Sequence, residues 1–117
     1  MKRDLDLIRY LLLETETGEK PEAMKDYSEE QVLYHCELSI EADLLEGQVF
    51  HNERGQPFSA VIQRLTWDGH DFLDASRSET NWKKATDQIE KAGGSWTFEI
   101  VKSLLVEIAK RALMPGA

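Results

Sequence analysis

The chain has 117 residues, 41% of them hydrophobic and 31% charged, which suits one buried core and excludes a disordered or membrane-spanning protein. One cysteine, Cys36, excludes an internal disulfide, and the charged start without an apolar leader predicts a cytoplasmic protein. The net charge of −8 is concentrated at residues 17–47, where two lysines face nine acidic residues, and this excludes a general polyanion binder.

The first predicted element is a helix at residues 4–16 with a wide apolar face, begun by Asp4 and Asp6. Residues 17–27 contain Gly18 and Pro21 and lose helical periodicity, so they predict a connection that holds at most one short turn or strand.

A second helix is predicted at residues 29–42. Ser28 and Gln31 have the spacing of a capping box, in which each side chain accepts the other residue's backbone N–H. The helix carries two apolar strips on opposite sides, so it is expected to pack between neighbouring elements. Position 36 falls on one of these strips, which predicts a core role for the cysteine.

After Gly47, two β-prone runs separated by a turn-rich loop at residues 52–59 predict a β-hairpin. Thr66 then caps a helix that runs to about Ser76, and a further helix begins at Ser78 or Glu79 and ends at Gly93 and Gly94.

The last predicted helix starts at Thr97 and repeats apolar residues at alternating spacings of three and four, the pattern of a seam against another helix. Two interpretations stay open. The helix folds back on helix 79–92 or on the core, or it forms a homodimer seam through the same residues: Phe98, Val101, Leu105, Ile108 and Ala112.

These elements predict a mainly α fold with a small β-hairpin, an α+β class, in a single domain that spans residues 1–117. The order of helix, capped helix ending "SIEADLLEG", hairpin and "RLTWDGHDFLD" resembles winged-helix proteins. That resemblance implies a winged-helix-like core at 1–77 and a C-terminal helical hairpin extension at 78–117. Two departures are visible: Asp43 stands where winged-helix patterns usually have glycine, and no clear second helix precedes Ser28.

Four segments, "MKRDLDLIRYLLLE", "YSEEQVLYHCELSIEADLLEG", "RLTWDGHDFLDASR" and "NWKKATDQIEKAGGSWTFEIVKSLL", are similar to a family of bacterial and phage proteins of unknown function. The similarity covers nearly the whole chain. It implies a phage-type or prophage-type accessory protein, and it supplies no catalytic residues.

Two polar strips lie between the apolar strips of helix 29–42. The first contains Glu30, Glu37 and Glu41, and neither strip contains Lys or Arg. Because duplex DNA is held mainly by cations that neutralise phosphates, this predicts a protein partner bound through the three glutamates. The alternative is a DNA-binding regulator that contacts bases with the second strip and the hairpin tip, and its residues would be Gln31, His35, Ser39 and Arg54.

No pattern typical of catalysis or metal binding occurs. The three histidines stand singly, and His35 and Cys36 diverge by about 100° on a helix, so they cannot pair as in a cysteine hydrolase. The three tryptophans, Trp67, Trp82 and Trp96, are either core residues or anchors for a partner. The sequence therefore predicts a non-enzymatic binding module without a cofactor, metal or membrane association.

Overall fold

The computed structural model describes residues 1–113, without the side chain of Ala112, as five α-helices, one 3₁₀ helix and a two-stranded antiparallel sheet. This confirms the predicted mainly helical α+β class with one β-hairpin. The internal contacts divide the chain into two compact units, Met1–Asp71 and Phe72–Ala117. A single domain with an internal boundary at residues 77 and 78 stays a prediction.

The first unit begins with helix α1, Leu5–Thr17. The Asp4 side chain accepts the Leu7 backbone N–H at 3.1 Å, and this satisfies one of the unpaired donors of the first turn. The helix ends at Gly18, whose φ of 79° is a left-handed conformation that glycine adopts without strain. The following connection holds a 3₁₀ helix, Glu22–Asp26, which is the short turn among the predicted alternatives.

Helix α2, Glu29–Glu41, begins with the predicted capping box. The Gln31 backbone N–H donates to Ser28 Oγ at 3.1 Å, and the Ser28 N–H donates to Gln31 Oε1 at 2.9 Å. The helix ends one residue before the predicted bound, and Asp43 follows it in the left-handed conformation with a φ of 60°. Because Asp is among the few residues that tolerate this conformation, the departure from glycine leaves the helix end intact.

Strands β1, Leu45–His51, and β2, Pro57–Leu65, form the hairpin. Strand β1 begins two residues before Gly47, where a Cβ atom would overlap the Val61 carbonyl oxygen and force the strands apart. One side of the hairpin packs on the core of the first unit through Val49, Ala60 and Ile62. That core contains the buried side chains of Leu7, Leu11, Met24 and Cys36.

Helix α3, Trp67–Ser76, is fixed at its start to the end of α2. Thr66 Oγ1 accepts the Gly69 N–H at 3.0 Å and donates to the Asp43 carbonyl at 2.5 Å, while the Thr66 N–H donates to the Leu44 carbonyl at 3.1 Å. The helix approaches that carbonyl so closely that a Cβ atom on Gly69 would overlap its oxygen. The "LTWDG" sequence therefore serves as a backbone junction.

The second unit contains helices α4, Glu79–Lys91, and α5, Phe98–Leu113, which pack on each other. The Phe72 ring stacks on Phe98 at a centroid distance of 5.4 Å and meets Trp82 edge-on at 6.0 Å. Such aromatic contacts stabilise a small core beyond their buried area.

The seam of α5 is internal to the chain. Val101, Leu105 and Ile108 are buried, and Phe98 is half-buried against Phe72. These residues cover their apolar surface within the chain, as the fold-back interpretation predicts, and the homodimer interpretation stays a prediction. The side chain of Ala112 lies outside the described residues.

Candidate functional site

The second polar strip of α2, which contains Gln31, His35 and Ser39, faces the interior of the first unit. His35 and Ser39 are only 1% and 0% exposed, and Gln31 is half-buried. Ser39 Oγ donates to the His35 carbonyl at 2.7 Å, one turn back along α2. For His35 and Ser39 this burial contradicts the predicted base contacts, because a side chain without exposed surface cannot reach a base, whereas the predicted role of Gln31 stays a prediction.

His35 instead fastens α2 to the start of α1. Its Nδ1 lies 2.7 Å from the Gln31 carbonyl oxygen, and because a carbonyl only accepts, Nδ1 carries the hydrogen. Nε2 then accepts the Asp4 backbone N–H at 2.8 Å. Both ring nitrogens are occupied by backbone groups, so His35 has a positioning role in the fold.

Asp4 joins this network to the segment before α2. Its carboxylate accepts the Tyr27 hydroxyl at 3.1 Å as well as the Leu7 N–H. Burial, and after it the negative charge of Asp4, raise the pKa of the Tyr27 phenol well above its usual value. The phenol therefore stays protonated and keeps donating to Asp4.

The acid strip, defined as Glu30, Glu37 and Glu41, lies on the solvent side of α2. Glu30 and Glu41 are exposed and Glu37 is half-buried. Glu37 Oε2 lies 2.6 Å from Nε2 of His51 in β1. Within residues 1–113, neither Glu30 nor Glu41 has a hydrogen-bond or ion-pair partner for its carboxylate. Two of the three charges are therefore open to an external cation.

The hairpin tip is a tight turn built around Asn52. Its Oδ1 accepts the backbone N–H groups of Arg54 and Gln56 at 2.9 and 3.0 Å. Gly55 provides the left-handed residue of this turn. Arg54 is exposed at the tip, so the structure leaves it accessible, whereas His35 and Ser39 are buried.

A cleft of about 410 Å³ opens between α1, α2 and β2. Its wall combines apolar side chains from all three elements with the polar groups of Glu14, Thr15 and Gln63. Burial raises the pKa of the Cys36 thiol to about 11, and the negative charge of Glu14 contributes after it. Cys36 is 5% exposed, so it is a neutral core thiol, as its position on the helix predicted. The lining consists of Leu11, Glu14, Thr15, Val32, Leu33, Cys36, Ala60, Ile62 and Gln63.

The three tryptophans have different surroundings. Trp82 is 4% exposed in the core of the second unit, which fits the core interpretation. Trp96 is half-buried, and Trp67 is 81% exposed at the first residue of α3. Trp67 is thus the one of these three that a partner could contact as an anchor.

Within the described residues, no group of three or more His, Cys, Asp or Glu side chains is placed to hold a metal ion. None of the helices described in residues 1–113 combines the length and apolar character needed to cross a bilayer.

Sequence reasoning missed two groups at these sites. Glu14 follows an apolar run on α1 and carries no local signal of a site, because only folding brings it to the cleft wall. His51 stands alone in the sequence, but in the fold it contacts Glu37, which lies 14 residues away. The hairpin after α2 was the available indication for His51, because β1 returns along the helix that precedes it.

A relative from Haemophilus influenzae (strain ATCC 51907 / DSM 11121 / KW20 / Rd), described as an uncharacterised protein, is 29% identical over 119 residues, which cover 97% of this chain and 99% of the relative. No solved structure matches the chain. A family model described as "Hypothetical protein (DUF2513)" matches residues 2–95, a span that includes α1, α2, the hairpin, α3 and α4. The chain therefore belongs to the DUF2513 family.

Proposed function

We propose that this protein is a non-enzymatic, cytoplasmic binding module whose acid strip contacts a basic surface of a protein partner. The observation that supports it most directly is that Glu30 and Glu41 are exposed without a cationic partner in residues 1–113. Carboxylates in this state attract a basic partner over a distance of about a Debye length, roughly 8 Å at physiological salt.

The backbone around the strip supports the same proposal, because α2 is fixed at both ends. The capping box holds its start, and Thr66 holds the residues that follow its end. A surface on a rigid helix loses little conformational entropy on binding, so modest charge interactions suffice for recognition.

The element order α1, 3₁₀ helix, α2 and hairpin supports a winged-helix interpretation, in which the short 3₁₀ helix stands where a second helix would be. In that interpretation α2 is the recognition helix, with an acidic outer side that would be repelled by phosphates. We therefore place protein binding before DNA binding, and extend the proposal to an accessory role of the phage or prophage type.

A charge-reversal experiment tests the proposal. The wild-type chain and a Glu30→Lys/Glu41→Lys variant are immobilised and used to capture partners from an extract of the native host, followed by quantitative mass spectrometry. We expect the captured partner to be depleted at least about tenfold, a loss of about 1.4 kcal/mol in binding. Both positions are exposed, so the variant should keep the wild-type circular dichroism spectrum.

The matched control is Asp87→Lys/Glu90→Lys on α4, which makes the same change in net charge at two exposed positions of the second unit. It should capture the partner within about twofold of wild type. Equal capture by all three proteins would refute a role for the acid strip. A purified chain that binds duplex DNA with an affinity falling steeply with salt would favour the regulator alternative instead.

A further inference from the structure

We infer that the cleft between α1, α2 and β2 receives an apolar side chain from a basic, amphipathic segment of the partner. This inference rests on the proposed function, since it places the partner's apolar contact beside the acid strip. Insertion of this side chain would fix where the partner binds, which attraction between charged surfaces alone does not.

The cleft has a mixed lining in which α1, α2 and β2 each contribute apolar residues that an apolar side chain can contact. Its volume of about 410 Å³ lies within the range of pockets that bind ligands, and Leu11, Val32 and Leu33 supply much of its wall. All lining residues belong to the first unit. A helix of the partner that places one or two apolar residues there would gain buried apolar area in addition to charge.

Among the lining residues of the cleft, Glu14 carries the charge. Glu14 is half-buried in the wall, and its carboxylate has no hydrogen-bond or ion-pair partner among the described residues. On the α2 side, Leu33 lies three residues after Glu30 and four before Glu37, so both acidic side chains flank it on the helix surface. An apolar segment bearing Lys or Arg complements this arrangement, whereas an acidic segment is repelled.

Defined peptides test the inference without knowledge of the natural partner. Three fluorescent helical peptides of about 15 residues are titrated with the purified chain: one of Leu and Lys, one in which Gln replaces every Leu, and one of Leu and Glu. Anisotropy is measured at low salt and at about 0.3 M salt. We expect the Leu/Lys peptide to bind at least about tenfold more tightly than the Gln/Lys peptide, and the Leu/Glu peptide not to bind.

Two variants locate the contact. Glu14→Gln keeps the shape of the side chain and should weaken the Leu/Lys peptide about threefold to tenfold, while the control Glu19→Gln, an exposed residue outside the lining, should change it less than about twofold. Ala60→Met places a larger side chain in the cleft wall and should weaken the Leu/Lys peptide towards the affinity of the Gln/Lys peptide. If Ala60→Met does not fold, the comparison of the two glutamine variants still decides the result.

The outcomes separate the two proposals. Binding of neither lysine peptide would refute the proposed function together with this inference. Suppose that both lysine peptides bind equally and that neither Glu14→Gln nor Ala60→Met changes their binding. That result would be consistent with binding to the acid strip and would refute the inference that the cleft receives an apolar side chain. Equal binding of the Leu/Lys and Leu/Glu peptides would show apolar adhesion without charge selection, which also contradicts the inference.

Discussion

Substitution of Gly69 by alanine sets two physical effects against each other. Gly69 lies inside α3, where alanine is favoured over glycine by about 1 kcal/mol from helix propensity alone. The structure opposes this gain, because the new Cβ would overlap the Leu44 carbonyl oxygen. Backbone atoms on both sides must separate, and that movement disturbs the three hydrogen bonds through which Thr66 joins Asp43, Leu44 and Gly69.

We expect Gly69→Ala to lower the free energy of unfolding by about 2 kcal/mol. Three disturbed hydrogen bonds at about 1 kcal/mol each, or overpacking strain of about 1–3 kcal/mol, outweigh the propensity gain. Urea unfolding followed by far-UV circular dichroism measures the difference. The control Asp71→Ala, at an exposed position of the same helix, should stay within about 0.5 kcal/mol of wild type. A Gly69→Ala protein as stable as wild type would show that the close approach does not constrain the fold.

Three further predictions concern the buried groups. Cys36 should react with a thiol reagent such as DTNB only after unfolding, because it is buried. Its folded pKa of about 11 lies above the ordinary value of 9.0, so its contribution to stability is complete below pH 9 and is lost as the pH rises towards 11. The free energy of unfolding of wild type relative to Cys36→Ala should therefore fall by about 2 kcal/mol between pH 9 and pH 11. His35→Ala should lower the free energy of unfolding by about 2–4 kcal/mol in urea titrations, because the Asp4 N–H and the Gln31 carbonyl lose buried partners, and a loss below about 1 kcal/mol would contradict that role. Leu105→Ala should lower the free energy of unfolding by about 2–5 kcal/mol, and the Tm should not depend on protein concentration. A Tm that rises with protein concentration would support the homodimer interpretation instead.

The elements could be predicted from sequence where local chemistry decides them. Ser28 with Gln31 marks the start of α2, and Thr66 marks the start of α3, because caps act within three residues of the chain. Element bounds differ from the prediction where tertiary contacts intervene. Strand β1 starts before Gly47 because its pairing reaches Leu45 opposite Leu65, a contact set by chain folding rather than by residue type.

The candidate site was only half predictable. The acid strip follows from helical spacing, and the structure leaves it on the solvent side. The burial of His35 and Ser39 does not follow from helical spacing, because neutral polar side chains can contact either solvent or buried backbone groups. What decides their burial is the Asp4 backbone N–H, which lies 31 residues away in sequence. The cleft likewise depends on three elements that meet only after folding.

The buried polar residues and the acid strip are physically linked through the geometry of α2. At about 100° per residue, His35 and Ser39 lie roughly 160° around the helix from the centre of the strip formed by Glu30, Glu37 and Glu41. The hydrogen bonds of His35 hold the side of α2 that carries His35 and Ser39 against the start of α1. The side that carries the acid strip must then point to solvent. A sequence with apolar residues at 35 and 39 would bury the same side without fixing the helix rotation as firmly, because apolar contacts are not directional. His35 and Ser39, which the DNA-binding alternative assigns to base contacts, are therefore the residues that orient the acidic side outward.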